Sequence, residues 1–171
     1  VSATTLDPEV KRTLEPRTAA PAARLRAIRA LTEAGVPVGV MVAPVIPAIT
    51  DHELEAILEA AAEAGAKCAG YVLLRLPYEV KDLFREWLME HHPLRAKHVM
   101  SLVNDLRGGR DHDPTFGSRM RGTGPLAELL RKRFTVACRR LGLNSLRTFD
   151  FDTARFVPPR RAGTAQLDLG F

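Results

Sequence analysis

The chain has 171 residues, 46% of them hydrophobic, enough for a core of single-domain size, and it holds no run approaching the roughly 18 apolar residues of a membrane span. Two cysteines, Cys68 and Cys138, suit the reduced thiols of a cytoplasm better than a disulfide framework. Against 20 Asp and Glu stand 25 Lys and Arg, a net charge of +5, and the excess gathers between Arg107 and Arg161, which suits a polyanionic partner and equally a set of solvated helix faces.

In chain order, residues 1–5 alternate as a strand and run into Leu6-Asp7-Pro8-Glu9, a strand-to-helix junction. A chain that opens in mid-strand without Met reads as a fragment. Residues 21–34 carry Leu25, Ile28, Leu31 and Thr32 at helical spacing, with Gly35 placed to end the helix. The β-branched run 36–42 predicts a strand buried on both faces. Thr50 and Glu53 fit a Thr-x-x-Glu capping box before a periodic segment that stops at Gly65, and 67–76 returns to an apolar strand closed by Pro77. Strand, helix, strand, helix, strand at short loop lengths implies α/β architecture with three parallel strands. Three strands cannot close a barrel, so an open edge is expected on the N-terminal side.

Beyond Pro77, residues 80–106 read as helix interrupted at Pro93, 108–124 as a Gly- and Arg-rich loop, and 125–141 as helix stopped by Gly142. Residues 158–163 form a Pro-, Arg- and Gly-rich linker. The expected division is 1–78 for the sheet, 79–150 for a helical extension, and 151–171 for a tail.

The loop 43–51 leaves the C-terminal end of a strand, where open α/β sheets hold ligands, and its prolines and small apolar residues could press on a flat aromatic group. In the Arg-rich loop, Arg110, Arg119 and Arg121 could hold a phosphate backbone while Phe116 stacks on a base. His91, His92, His98 and His112 lack a recognised ligand spacing, so no metal site is assigned, and no catalytic residue is identified.

The segments TTLDPEV, LEP with Arg17-Thr18, AGVPVGVMVAPVIP and GYVLLRLP together resemble the radical S-adenosylmethionine (SAM) superfamily, in the branch related to spore photoproduct lyase. The family's GxIxGxxE pattern falls on Pro44, Ile46, Ala48 and Asp51, with both glycines replaced. The resemblance implies strands four to six of a partial (β/α)6 barrel. It turns Ser2 or Thr4 toward SAM, lays the adenine against Val45 or Ile46, brings backbone around Leu74 and Arg75 to the adenine edge, and gives Asp51 a binding or helix-capping role. It implies reductive cleavage of SAM to a 5′-deoxyadenosyl radical that abstracts hydrogen from a substrate, with damaged DNA expected from the branch and the charge. The family's three closely spaced cysteines for a [4Fe–4S] cluster have no counterpart around Cys68 or Cys138, so the cluster ligands are expected outside this chain and the chain alone is expected to be inactive. The rival expectations are a non-catalytic module that binds nucleic acid or the replication sliding clamp, and an inert fragment. The tail residues Gln166, Leu167, Leu169 and Phe171 resemble the QLxLxF peptide by which repair proteins dock on that clamp, Leu169 and Phe171 filling an apolar pocket.

Overall fold

Asp7 opens the first helix as its composition requires: the Asp7 carboxylate accepts from the Glu9 and Val10 amides, and Pro8 occupies the first turn where its missing N–H is harmless. The structure is a computed structural model, and it describes residues 1–110, 118–145 and 157. The elements are β1 (Ser2–Ala3), α1 (Pro8–Leu14), α2 (Pro21–Glu33), β2 (Gly39–Val45), a 3-10 turn (Asp51–Glu53), α3 (Leu54–Glu63), β3 (Cys68–Leu73), α4 (Val80–His91), α5 (Ala96–Asp105) and α6 (Gly124–Arg140). The predicted alternation of strand and helix is thus observed, and the long helical segment divides around Pro93 into α4 and α5.

The glycine stops work as read. After α3, Gly65 adopts φ 102 and the Ala66 amide returns to the Ala61 carbonyl, closing the helix end; a Cβ at Gly65 would also lie 2.6 Å from the Thr32 side chain. The capping box does not form. Thr50 Oγ1 instead accepts from the Ile46 amide at 2.9 Å, inside a tight turn in which the Ile46 carbonyl receives the amides of Ile49, Thr50 and Asp51. Glu53 turns to the first strand, where its carboxylate accepts from Thr5 Oγ1 and from the Leu6 amide. The turn after β2 competes for the threonine, and the strand end competes for the glutamate.

All three strands are parallel in the order β1-β2-β3, with Ser2 opposite Met41, Ala3 opposite Val42, and Val42 opposite Tyr71. The register slips between Val42 and Val45, a stretch that contains the cis Ala43-Pro44 peptide. Val40, Val42 and Val45 join Ile28, Ile57, Leu58 and Leu130 in a core under α2, α3 and α6. Met41, on the opposite face, is 42% exposed. The expectation of a strand buried on both faces is therefore corrected: among the described residues the helices over the sheet lie on one side. A second cluster, with Ile46, Ile49 and Leu76 against Phe84, Leu88 and Val99, packs α4 and α5 onto the loops that leave β2 and β3.

The two sheet edges differ. Along β3, the Asn144 amide group pairs with the Ala69 N–H and C=O at 2.9 and 3.0 Å, and Leu73 N–H donates to the Met120 carbonyl at 3.0 Å. The chain thereby caps this edge with its own later residues. Among the described residues no further strand lies beyond β1. No described helix is long and apolar enough to cross a membrane.

Candidate functional site

The C-terminal ends of the strands collect the first group of expected ligand contacts. Ser2 is exposed on β1, and its carbonyl accepts from Arg24 Nη1 at 2.9 Å. Thr4 is 1% exposed and donates its hydroxyl to the Ala43 carbonyl at 2.8 Å, tying β1 to β2 where their ladder ends. Val45 and Ile46 are fully buried, one in each core cluster, so their side chains anchor the loop rather than present a surface. Leu74 already engages both backbone groups: its N–H donates to the Val45 carbonyl at 3.0 Å and its C=O accepts from Arg107. Asp51 begins the 3-10 turn and is held against α6 by Arg133, which donates to the Asp51 carbonyl at 2.9 Å.

Arg75 is the unsatisfied member of the group. It follows β3, its Nη1 reaches Met120 Sδ at 3.9 Å, and its buried Nε has no hydrogen-bond partner among the described residues. A guanidinium N–H left so is a donor awaiting an acceptor. Arg107, which the spacing did not distinguish from its neighbours, is 5% exposed. Its Nη1 donates to the Arg119 carbonyl at 2.7 Å, and its Nη2 to the carbonyls of Leu73 and Leu74, so one fork pins the Arg-rich loop to the end of β3.

The basic half of the chain divides into distinct roles. Arg133 forms a bidentate pair with Glu55 at 2.8 and 2.6 Å, and Arg140 reaches Glu59 at 2.7 Å, clasping α6 to α3. The hydrogen bond from Arg133 holds the Glu55 carboxyl below its ordinary range against the opposing effect of burial. Arg121 and Arg131 are exposed instead, and with Tyr71, Ser118, Gly122, Thr123, Ala127 and Glu128 they line an open cleft of about 370 Å³ at the start of α6. Burial pushes the Tyr71 phenol up, and the charges of Arg121 and Arg131 pull it back. Of the expected nucleic-acid contacts, Arg119 lies on the loop pinned by Arg107 and Arg110 is exposed, while Phe116 lies outside the described residues. So do Gln166, Leu167, Leu169 and Phe171.

Cys138 is buried in α6 and its thiol is pushed up to about 11 by burial, so it is protonated near neutral pH. Cys68 starts β3, at the end of the strand remote from Leu74 and Arg75. Among the described residues no three His, Cys, Asp or Glu side chains are grouped to hold a metal ion.

The chain is similar to an uncharacterized protein of Mycobacterium bovis and to uncharacterized proteins from two strains of Mycobacterium tuberculosis, each 40% identical over 89 residues. The match covers 51% of this chain and 26% of each relative, so the matched half of this chain spans about a quarter of their length. No family model matches the chain, and no solved structure does.

Proposed function

We propose that this chain supplies the C-terminal half of a radical SAM core, the part that cradles SAM beside a [4Fe–4S] cluster held elsewhere in the complete protein. The observation that carries the reading is the sheet order: three parallel strands added in chain order, β1-β2-β3, with α2 and α3 over the same face. A doubly wound sheet reverses direction and places helices on both faces, whereas a barrel adds each strand on one side and keeps its helices outside. The uncovered face carrying Ser2 and Met41 would then be the barrel interior.

The residues present fit SAM better than they fit the cluster. SAM carries a carboxylate and ribose hydroxyls, and the orphan Arg75 Nε is a donor suited to such an acceptor beside the strand ends. Iron demands thiolate, which the protonated Cys138 does not offer, and Cys68 stands at the wrong end of its strand. When bound and reduced, the cluster would supply the electron that cleaves SAM. This chain's own work is to bind and orient: Thr4 and Glu53 fix the end of β1, the buried Val45 and Ile46 fix the β2 loop, and Arg107 fixes the β3 end. The basic surface and the tail extend the proposal to a DNA substrate reached through the sliding clamp, a matter of charge and analogy.

The experiment is anaerobic reconstitution with iron and sulfide, followed by iron analysis and assay of 5′-deoxyadenosine after reduction with SAM. The complete protein is expected to bind about four irons and form 5′-deoxyadenosine, and the 171-residue chain to do neither. A complete protein that holds no cluster, or turnover by this chain alone, contradicts the proposal.

A further inference from the structure

The cleft at the start of α6 is built differently from the rest of the Arg-rich surface. On α6 the residues Gly124, Ala127, Glu128 and Arg131 follow one another at helical spacing, and all line the cleft. Arg133 and Arg140, seven residues apart on another stripe, face α3 and are paired there with Glu55 and Glu59. Arg131 is therefore directed away from those carboxylates, and Arg121 meets it from the loop across the cleft. Neither guanidinium has an ion-pair partner among the described residues, although Glu128 lines the same cleft. Ser118 and Thr123 bring hydroxyl groups, and Tyr71, seated on Phe134 with ring centroids 4.8 Å apart, forms one wall. The positive end of α6, begun at Thr123 without a side-chain cap, adds to the same field.

Two uncommitted arginines across a cleft lined with hydroxyls are suited to a tetrahedral anion that accepts hydrogen bonds on several sides. We infer that this cleft holds a backbone phosphate of a nucleic-acid strand, with Arg121 and Arg131 as its charged contacts. The inference rests on the nucleic-acid part of the function proposed above. It goes beyond that reading by assigning Arg131 and Tyr71, and by making a built cleft rather than the whole basic surface the point of contact. The cleft is open along the surface, which suits a continuous strand better than an enclosed metabolite.

The test measures fluorescence anisotropy of a labelled single-stranded oligonucleotide on the full chain across a salt series. R121Q/R131Q is compared with K132Q/R139Q, which removes the same charge from exposed positions of α6 outside the cleft. All four residues are exposed, and thermal melting verifies that both variants fold. The cleft variant is expected to lose roughly tenfold in affinity and to flatten the salt slope by about one to two units, with the control changing less than about threefold. Equal losses in the two variants would mean diffuse charge and overturn the cleft. Salt-independent binding, or none, would overturn the phosphate contact. Competition by inorganic phosphate or a mononucleotide, at an affinity matching that of the oligonucleotide, would overturn the choice of a strand in favour of a small phosphorylated ligand. None of these outcomes bears on the iron and 5′-deoxyadenosine assays, so the two proposals fail separately.

Discussion

Arginine has three separate fates in this chain, and the sequence presents them as one composition. Arg107 is buried under the β3 end, Arg133 and Arg140 are paired to α3, and Arg121 and Arg131 stand in solvent around a cleft. No local pattern separates them, because what decides each is the carbonyl or carboxylate that the fold brings from far along the chain. Asn144 was equally hidden: it adopts φ 58 just past α6, and its amide group then imitates a neighbouring strand for Ala69. For Arg107 the geometry gives a sharp expectation. Its planar fork serves three carbonyls, and a lysine ammonium would leave part of this set unsatisfied in a buried place. R107K is expected to lower stability by roughly 2–3 kcal/mol, read as a reduced urea midpoint. An unchanged midpoint would show that the fork is not what holds the Arg-rich loop to the sheet.

Between elements, the clasp of α6 on α3 is the clearest electrostatic contribution. Glu55 has a folded-state pKa below its ordinary value of 4.5, with the Arg133 hydrogen bond as the largest cause. A depressed carboxylate contributes stability that is present above the unfolded pKa and lost as pH falls through the folded one. Melting curves of the wild type and E55Q should therefore differ most at neutral pH, with the wild type higher, and converge as pH drops below about 4.5. A constant difference down to strongly acid pH would remove the pair from the acid response. The elements themselves were largely readable, because glycine stops, a proline break and 3.6-residue periodicity are local signals. The capping box failed since Thr50 and Glu53 found nearer or better partners in the β2 turn and at the β1 end. The two-face burial of β2 failed because an unbroken apolar run does not say what lies on its second side, and the described helices over the sheet cover only one.

At the scale of the molecule, the contrast between the two edges of the sheet organises the rest. The β3 edge is closed by Asn144 and Met120, as befits a last strand, while among the described residues β1 pairs on one side only. Val1 directs both its N-terminal ammonium, which donates to the Gly39 carbonyl, and its C=O, which accepts from the Met41 amide, toward β2, so by the alternation of extended backbone Ser2 and Thr4 direct their backbone groups the other way. The parallel order of the strands was legible in the sequence; the asymmetry of the edges was legible only as the expectation of an opening on the N-terminal side. In the proposed barrel the outward amides of Ser2 and Thr4 are paired with a neighbouring strand, beside the Ser2 carbonyl that Arg24 already engages. Amide hydrogen exchange at Ser2, an exposed position whose N–H points away from β2, measures this directly. Protection of roughly a hundredfold or more is expected in the complete protein and little in the 171-residue chain, whereas equally fast exchange in both would contradict a sheet that continues past β1.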